Sequence, residues 1–114
     1  GMQYINVMFG GKLWYHPKLP VNRTRGVDHQ VWLVKEQRNI WVNNYHSDCI
    51  YEEGLASCFE PLAIDRENHV VEAYGSDEMK ILALQWHPER RFETANAYEE
   101  TRKIILDFIQ KYVK

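Results

Sequence analysis

The stretch Ile81-Leu82-Ala83-Leu84-Gln85-Trp86-His87-Pro88-Glu89 decides how this chain is read. Residues 81–86 are nearly all apolar, the pattern of a strand covered on both faces. Pro88 cannot extend that strand, because it has no N–H to give to a ladder. His87 therefore stands at a strand end, with rigid Pro88 between it and the carboxylate of Glu89. An imidazole oriented by a carboxylate can act as general base to a nucleophile. A structural His–Glu pair has the same spacing, and the residues alone leave both readings open.

Working upstream, His69 to Tyr74 and Cys58 to Ile64 read as paired strands joined by Asp65-Arg66-Glu67-Asn68. Residues 46–53 fit a helical turn before Gly54. Ile40 to Val42 is a short β-branched and aromatic run, and His29 to Val34 alternates with Val31 and Leu33 on one face. Pro17, Pro20 and Gly26 make residues 12–27 a long loop. Met2, Ile5, Met8 and Phe9 recur at helical spacing, and Gly10-Gly11 stops that helix, since Gly accepts the left-handed conformation past a last turn.

Downstream, Tyr98, Thr101, Ile105, Phe108 and Tyr112 fall on one helical face with Ile104 beside them. Asn96 is placed to cap this helix, with Glu99 three residues on. Glu99 and Glu100 near its start, with Lys111 and Lys114 near its end, suit the helix dipole. The order is helix, loop, about five strands, helix, which is an α/β or α+β class.

Composition narrows the function classes. With 114 residues and 45% hydrophobic content, the chain is one domain with material for one core. A net charge of −2 gives no basic footprint for nucleic acid, so Trp14, Trp32, Trp41 and Trp86 read as core rather than as stacking platforms. No apolar run approaches the roughly 20 residues that span a bilayer. No leader is read at the start, and Cys49 and Cys58 fit two reduced thiols in a cytoplasmic protein. No metal or cofactor is expected: the cysteines lack zinc spacing, and His16, His29 and His69 are scattered. Arg90-Arg91 reads as a solvated pair.

Leu84-Gln85-Trp86-His87-Pro88-Glu89 resembles the signature of class I glutamine amidotransferases, in which the His and Glu belong to a Cys-His-Glu triad. Three blocks, in order, are similar to the γ-glutamyl hydrolase branch of that family (the peptidase C26 type). They are Gly1-Met2-Gln3-Tyr4-Ile5-Asn6-Val7 with Gly10-Gly11-Lys12-Leu13, then Val42-Asn43-Asn44-Tyr45-His46, then Val71-Glu72-Ala73 through His87-Pro88-Glu89. The resemblance implies a single partial domain over residues 1–114. It would be the C-terminal half of a flavodoxin-like α/β fold, with a mixed sheet and flanking helices.

It also implies roles. His87 would be the base and Glu89 its orienter. Gln3 would help hold the glutamyl group, and Asn44, Tyr45 and His46 would meet its α-amino and α-carboxylate ends. In the family's first block the nucleophilic Cys lies two positions before the residue matched by Gly1. The resemblance therefore implies a reading frame that extends upstream, and no γ-glutamyl hydrolysis by residues 1–114 alone. Cys49, three residues after His46, has nothing in the sequence to place it at the nucleophile's position, and Cys58 reads as core. His46-Ser47-Asp48 departs from the branch's His-His-Gln and is similar instead to anthranilate-synthase-type amidotransferases, which opens the identity of the leaving group.

Expected partners are a γ-glutamyl small molecule in the intact enzyme, and a second copy or the N-terminal half to cover Met2, Ile5, Phe9 and Ile81. A reading from another class stands beside this one: a stand-alone, non-catalytic module that binds a partner or a glutamate-like ligand.

Overall fold

A computed structural model describes residues 1–15, 26–46 and 48–112. Most of the expected 12–27 loop, with His16, Pro17 and Pro20, lies outside the described residues, as do Ser47 and Lys114.

Helix α1 spans Met2–Met8. It ends as the Gly pair predicts. Gly10 takes φ +96°, and its N–H donates to the Val7 carbonyl at 3.1 Å while Gly11 N–H donates to the Asn6 carbonyl at 2.9 Å. These two bonds are a Schellman motif. Gly11 has a second constraint: a Cβ there would sit 2.3 Å from the Asn6 side chain.

Five strands follow: β1 (His29–Leu33), β2 (Arg38–Val42), β3 (Glu60–Asp65), β4 (Val70–Ser76) and β5 (Ile81–Leu84). Their order is β2-β1-β3-β4-β5. Every pairing among the described residues is antiparallel, where the resemblance implied a mixed sheet. The β3–β4 turn forms as read: the Asp65 carboxylate accepts from the Glu67 and Asn68 N–H groups and from Asn68 Nδ2. The helical turn expected at 46–53 is one 3₁₀ turn, Glu52–Gly54.

Two apolar clusters lie on the sheet. One joins Met2, Ile50, Ala56, Phe59, Val71, Tyr74 and Ala83. The other joins Val31, Leu33, Ile40, Val42, Ala63, Ala73 and Trp86, with Phe92 and Ile104 packed against it. β4 contributes to both and is buried from Val70 through Gly75. This corrects the reading of 81–86: the strand covered on both faces is β4, and β5 is a largely half-buried strand at the sheet's end. Cys58 is also corrected, since it is exposed and precedes β3, while Cys49 is buried.

Helix α2 spans Ala97–Tyr112. Asn96 enters it with φ 66° and accepts the Glu100 N–H through its main-chain carbonyl, rather than with the extended backbone usual for a side-chain cap. Its buried face centres on Ala97 and Thr101, and Tyr98, expected on that face, is exposed. Trp86 Nε1 donates to Thr101 Oγ1 at 3.0 Å, which locks α2 onto the residues that follow β5. Across the sheet, the Tyr74 hydroxyl donates to the Met2 carbonyl. Burial pushes the Tyr74 phenol up to about 12.

Candidate active site

β5 ends at Leu84, but its ladder runs one step further, as Gln85 N–H donates to the Glu72 carbonyl at 2.7 Å. The chain then leaves the sheet and closes a turn, with Arg90 N–H on the His87 carbonyl at 3.0 Å. Asn43, just past β2, grips that turn. Its Oδ1 accepts the His87 N–H at 2.9 Å, and its Nδ2 donates to the His87 carbonyl at 2.8 Å. A buried side-chain amide thus does for His87 what a neighbouring strand would do.

His87 Nδ1 lies 2.9 Å from Glu89 Oε2. An ionised carboxylate can only accept, so Nδ1 carries the hydrogen, and in the neutral ring Nε2 holds the lone pair. The hydrogen bond from His87 holds the Glu89 carboxyl below its ordinary range. The Tyr45 ring meets the His87 ring edge-on, with centroids 6.1 Å apart, and the Arg90 guanidinium sits 4.7 Å over Tyr45.

His87 opens onto a cleft of about 310 Å³. Gly1, Met2, Gln3, His46, Asp48, Leu84 and Gln85 form the rest of its wall. Gln3 reaches in from α1, its Nε2 donating to Gln85 Oε1 and to the Asp48 carbonyl, both at 3.1 Å. With both amide hydrogens committed, Gln3 can offer a ligand the acceptor Oε1.

The structure therefore brings Gln3, His46 and His87 into one cleft, with Glu89 and Tyr45 against His87. Asn44 does not line the cleft. It is 2% exposed, and its carbonyl accepts the Gly26 N–H. His46 lines the wall but turns Nδ1 to the Asp48 carbonyl at 2.7 Å, with Nε2 3.5 Å from Glu72 Oε2. Neither Cys49 nor Cys58 lines it.

Sequence reasoning passed over Asn43, Gln85, Asp48 and Glu72. Asn43 and Glu72 stand inside the matched blocks, but an Asn after a strand reads as a turn. Among the described residues, no group of three or more His, Cys, Asp or Glu side chains could hold a metal ion, and no helix is long and apolar enough to cross a membrane.

The antiparallel sheet and its helices make an α/β domain with a His–Glu pair past its last strand. Residues 1–105 match the family "Glutamine amidotransferase class-I", and the chain belongs to it. Among curated proteins it is similar to the "Putative glutamine amidotransferase-like protein YvdE" of Lactococcus lactis subsp. lactis (strain IL1403), at 29% identity over 82% of this chain and 45% of that one. Among solved structures it is similar in fold to a "putative gmp synthase subunit a protein" from Thermoplasma acidophilum. There the TM-score is 0.69 and the identity 20%, over 97% of this chain and 55% of the other. The chain thus spans about half the length of the proteins it matches.

Proposed function

We propose that the cleft is the glutamyl site of a γ-glutamyl hydrolase of the amidotransferase type, and that residues 1–114 supply its base and orienter but not its thiol. The observation that carries this reading is the 2.9 Å His87–Glu89 contact at the mouth of the cleft that Gln3 enters. In the reaction, His87 Nε2 takes the proton of a thiol from a segment preceding Gly1, and the resulting thiolate attacks the γ-carbonyl. The C–N bond breaks, and His87 Nε2 hands the leaving amine its proton. His87 then takes a proton from water, which attacks the thioester; the C–S bond breaks, glutamate leaves, and the proton returns to the sulfur. Glu89 keeps Nδ1 protonated throughout.

No nucleophile stands in the cleft among the described residues. Loss of the nucleophile typically costs such triads about 10⁶-fold, so residues 1–114 alone are inert. The partner that completes the site is the N-terminal half; a second copy of these residues would cover the exposed face without bringing the thiol. Of the four residues expected to need cover, Met2 is buried in the core and Ile5 and Ile81 pack against it; Phe9 is exposed, and with Tyr4, Val7 and Met8 of α1 it supports such a cover.

The test is hydrolysis of a chromogenic γ-glutamyl anilide by residues 1–114 and by the chain extended upstream through its reading frame, with and without the upstream Cys changed to Ala. Activity confined to the extended, thiol-bearing chain is expected. Inactivity of every form, with L-glutamate still bound in the cleft, would favour the non-catalytic module. The enclosure of Gln3, His46 and Gln85 within these residues is the observation on that side.

A further inference from the structure

Glu72 is the least expected residue of β4. It lies on the strand buried on both faces, and its side chain has 0% exposure. Its Oε1 is 3.4 Å from His29 Nε2, a charge contact rather than a hydrogen bond, and its Oε2 is 3.5 Å from His46 Nε2. A buried carboxylate is costly unless it is held by opposite charge and hydrogen bonds. His29 opens β1 and stands across from Val42, the residue before Asn43. β1 pairs with β3 only at Trp32 and Leu33, so the His29 end of the β1–β2 hairpin is not tied to β3 by the ladder. Glu72 stands where that tie is missing.

The ring of His46 fixes where the hydrogens are. The Asp48 carbonyl can only accept, so Nδ1, 2.7 Å away, carries a hydrogen. Nε2 then faces a carboxylate oxygen, and two lone pairs cannot be opposed there without repulsion. A hydrogen placed between them would relieve that repulsion. His46 consequently joins Asp48, whose carbonyl also holds Gln3, to the core of the sheet.

We propose that Glu72 is the positioning residue of the cleft: through His29 and His46 it holds the end of the β1–β2 hairpin and the 43–48 segment at the spacing that sets Gln3 opposite His87. It touches no substrate. For its catalytic consequence this rests on the glutamyl reading above, but the hydrogen placement does not.

The experiment is ring-nitrogen NMR of the ¹⁵N-labelled chain and its Glu72→Gln variant, with Glu60→Gln as control, since the Glu60 carboxylate is exposed and paired with Lys35. In the wild type, His46 Nδ1 is expected to carry hydrogen and Nε2 to be hydrogen-bonded. Glu72→Gln is expected to move the His46 Nε2 resonance toward the bare-nitrogen position and to shift the Gln3 side-chain amide and His87 ring signals. Glu60→Gln should leave all three in place. A bare Nδ1 in the wild type overturns the proposal, even if the variant does not fold. So does an unmoved His46 Nε2 in a folded Glu72→Gln. L-Glutamate added to the wild type separates the two readings: if it perturbs no cleft resonance, the glutamyl reading fails while the ring-nitrogen result stands by itself.

Discussion

Replacing Asn43 by Ala should loosen the His87 turn without unpicking a strand. Its bonds to the His87 carbonyl and N–H, at 2.8 and 2.9 Å, are lost together with the longer ones to the Arg90 and Arg91 carbonyls at 3.4 Å; the His87 carbonyl keeps the Arg90 N–H, so the His87 N–H is the group left without a partner. A buried polar group left unsatisfied costs about 1–3 kcal/mol. One stranded group, in a half-buried residue that water partly reaches, sets the expected loss at about 1–3 kcal/mol. Against a typical stability of about 5–15 kcal/mol that is large. Asn43→Asp makes a sharper variant. It keeps an acceptor for the His87 N–H but sets a second oxygen against the His87 carbonyl, so at neutral pH it should cost at least as much. Asn43→Ser, too short to reach both groups, should fall near Ala. Urea unfolding followed by tryptophan fluorescence gives the stabilities, and His87 ring-nitrogen spectra show whether the ring has moved. A loss below about 0.5 kcal/mol for Asn43→Ala, with unchanged His87 resonances, would refute the clamp, because surface changes alone reach that size.

Three further expectations follow from single contacts. Tyr74 has a folded value of about 12 against an ordinary value of 10.0, so its contribution of roughly 3 kcal/mol is whole below pH 10 and lost as pH rises toward 12; Tyr74→Phe should flatten the alkaline limb of a stability–pH curve. Thr101→Val keeps the shape but strands Trp86 Nε1, at an expected cost of about 1–3 kcal/mol by urea titration, with Ser at that position restoring most of it. Glu89 has a lowered value, so its hold on His87 should be present above the ordinary carboxylate range and fade as pH falls through the folded value. Glu89→Gln should abolish that acid step in the His87 ring spectrum and cut the activity of the thiol-bearing chain.

What could be read in advance was local. The Gly10-Gly11 stop, the Asp65–Asn68 turn and the periodicity of α2 each follow from residues within one or two turns of one another, and the structure has all three. What failed was set by distant pairing. Ile81 to Trp86 looks like a strand covered on both faces, yet burial depends on which strands lie beside it, and the order places β5 last. β4 carries Glu72 and Gly75, which disguise it in sequence, and it is the strand buried from Val70 through Gly75. Of the site, His87, Glu89 and Gln3 were legible through a motif. Asn43 was not, because nothing near it in sequence tells an amide that bonds its own turn from one that reaches 44 residues along the chain.

The clamp has a meaning for the architecture as a whole. β2 and β5 are the two ends of the sheet, four places apart in its order, yet Asn43 after β2 bonds His87 after β5. A flat sheet could not bring them together, since neighbouring strands lie about 4.8 Å apart and four such steps span roughly 19 Å. The register of β3 against β4 slips between Pro61 and Ala63 and again between Ala63 and Ile64. Such bulges bend a strand and raise its twist. Beyond them, the two-rung contact of β1 with β3 leaves the hairpin free to swing toward β4. Glu72 meets the swung hairpin at His29, and Asn43 closes the circuit at His87. His87 is therefore placed by the bends in the middle of the sheet and by two side chains, Asn43 and Glu72, that bridge what the ladder leaves open. A substitution that straightened β3, far from the cleft, should disturb His87 as surely as one made beside it.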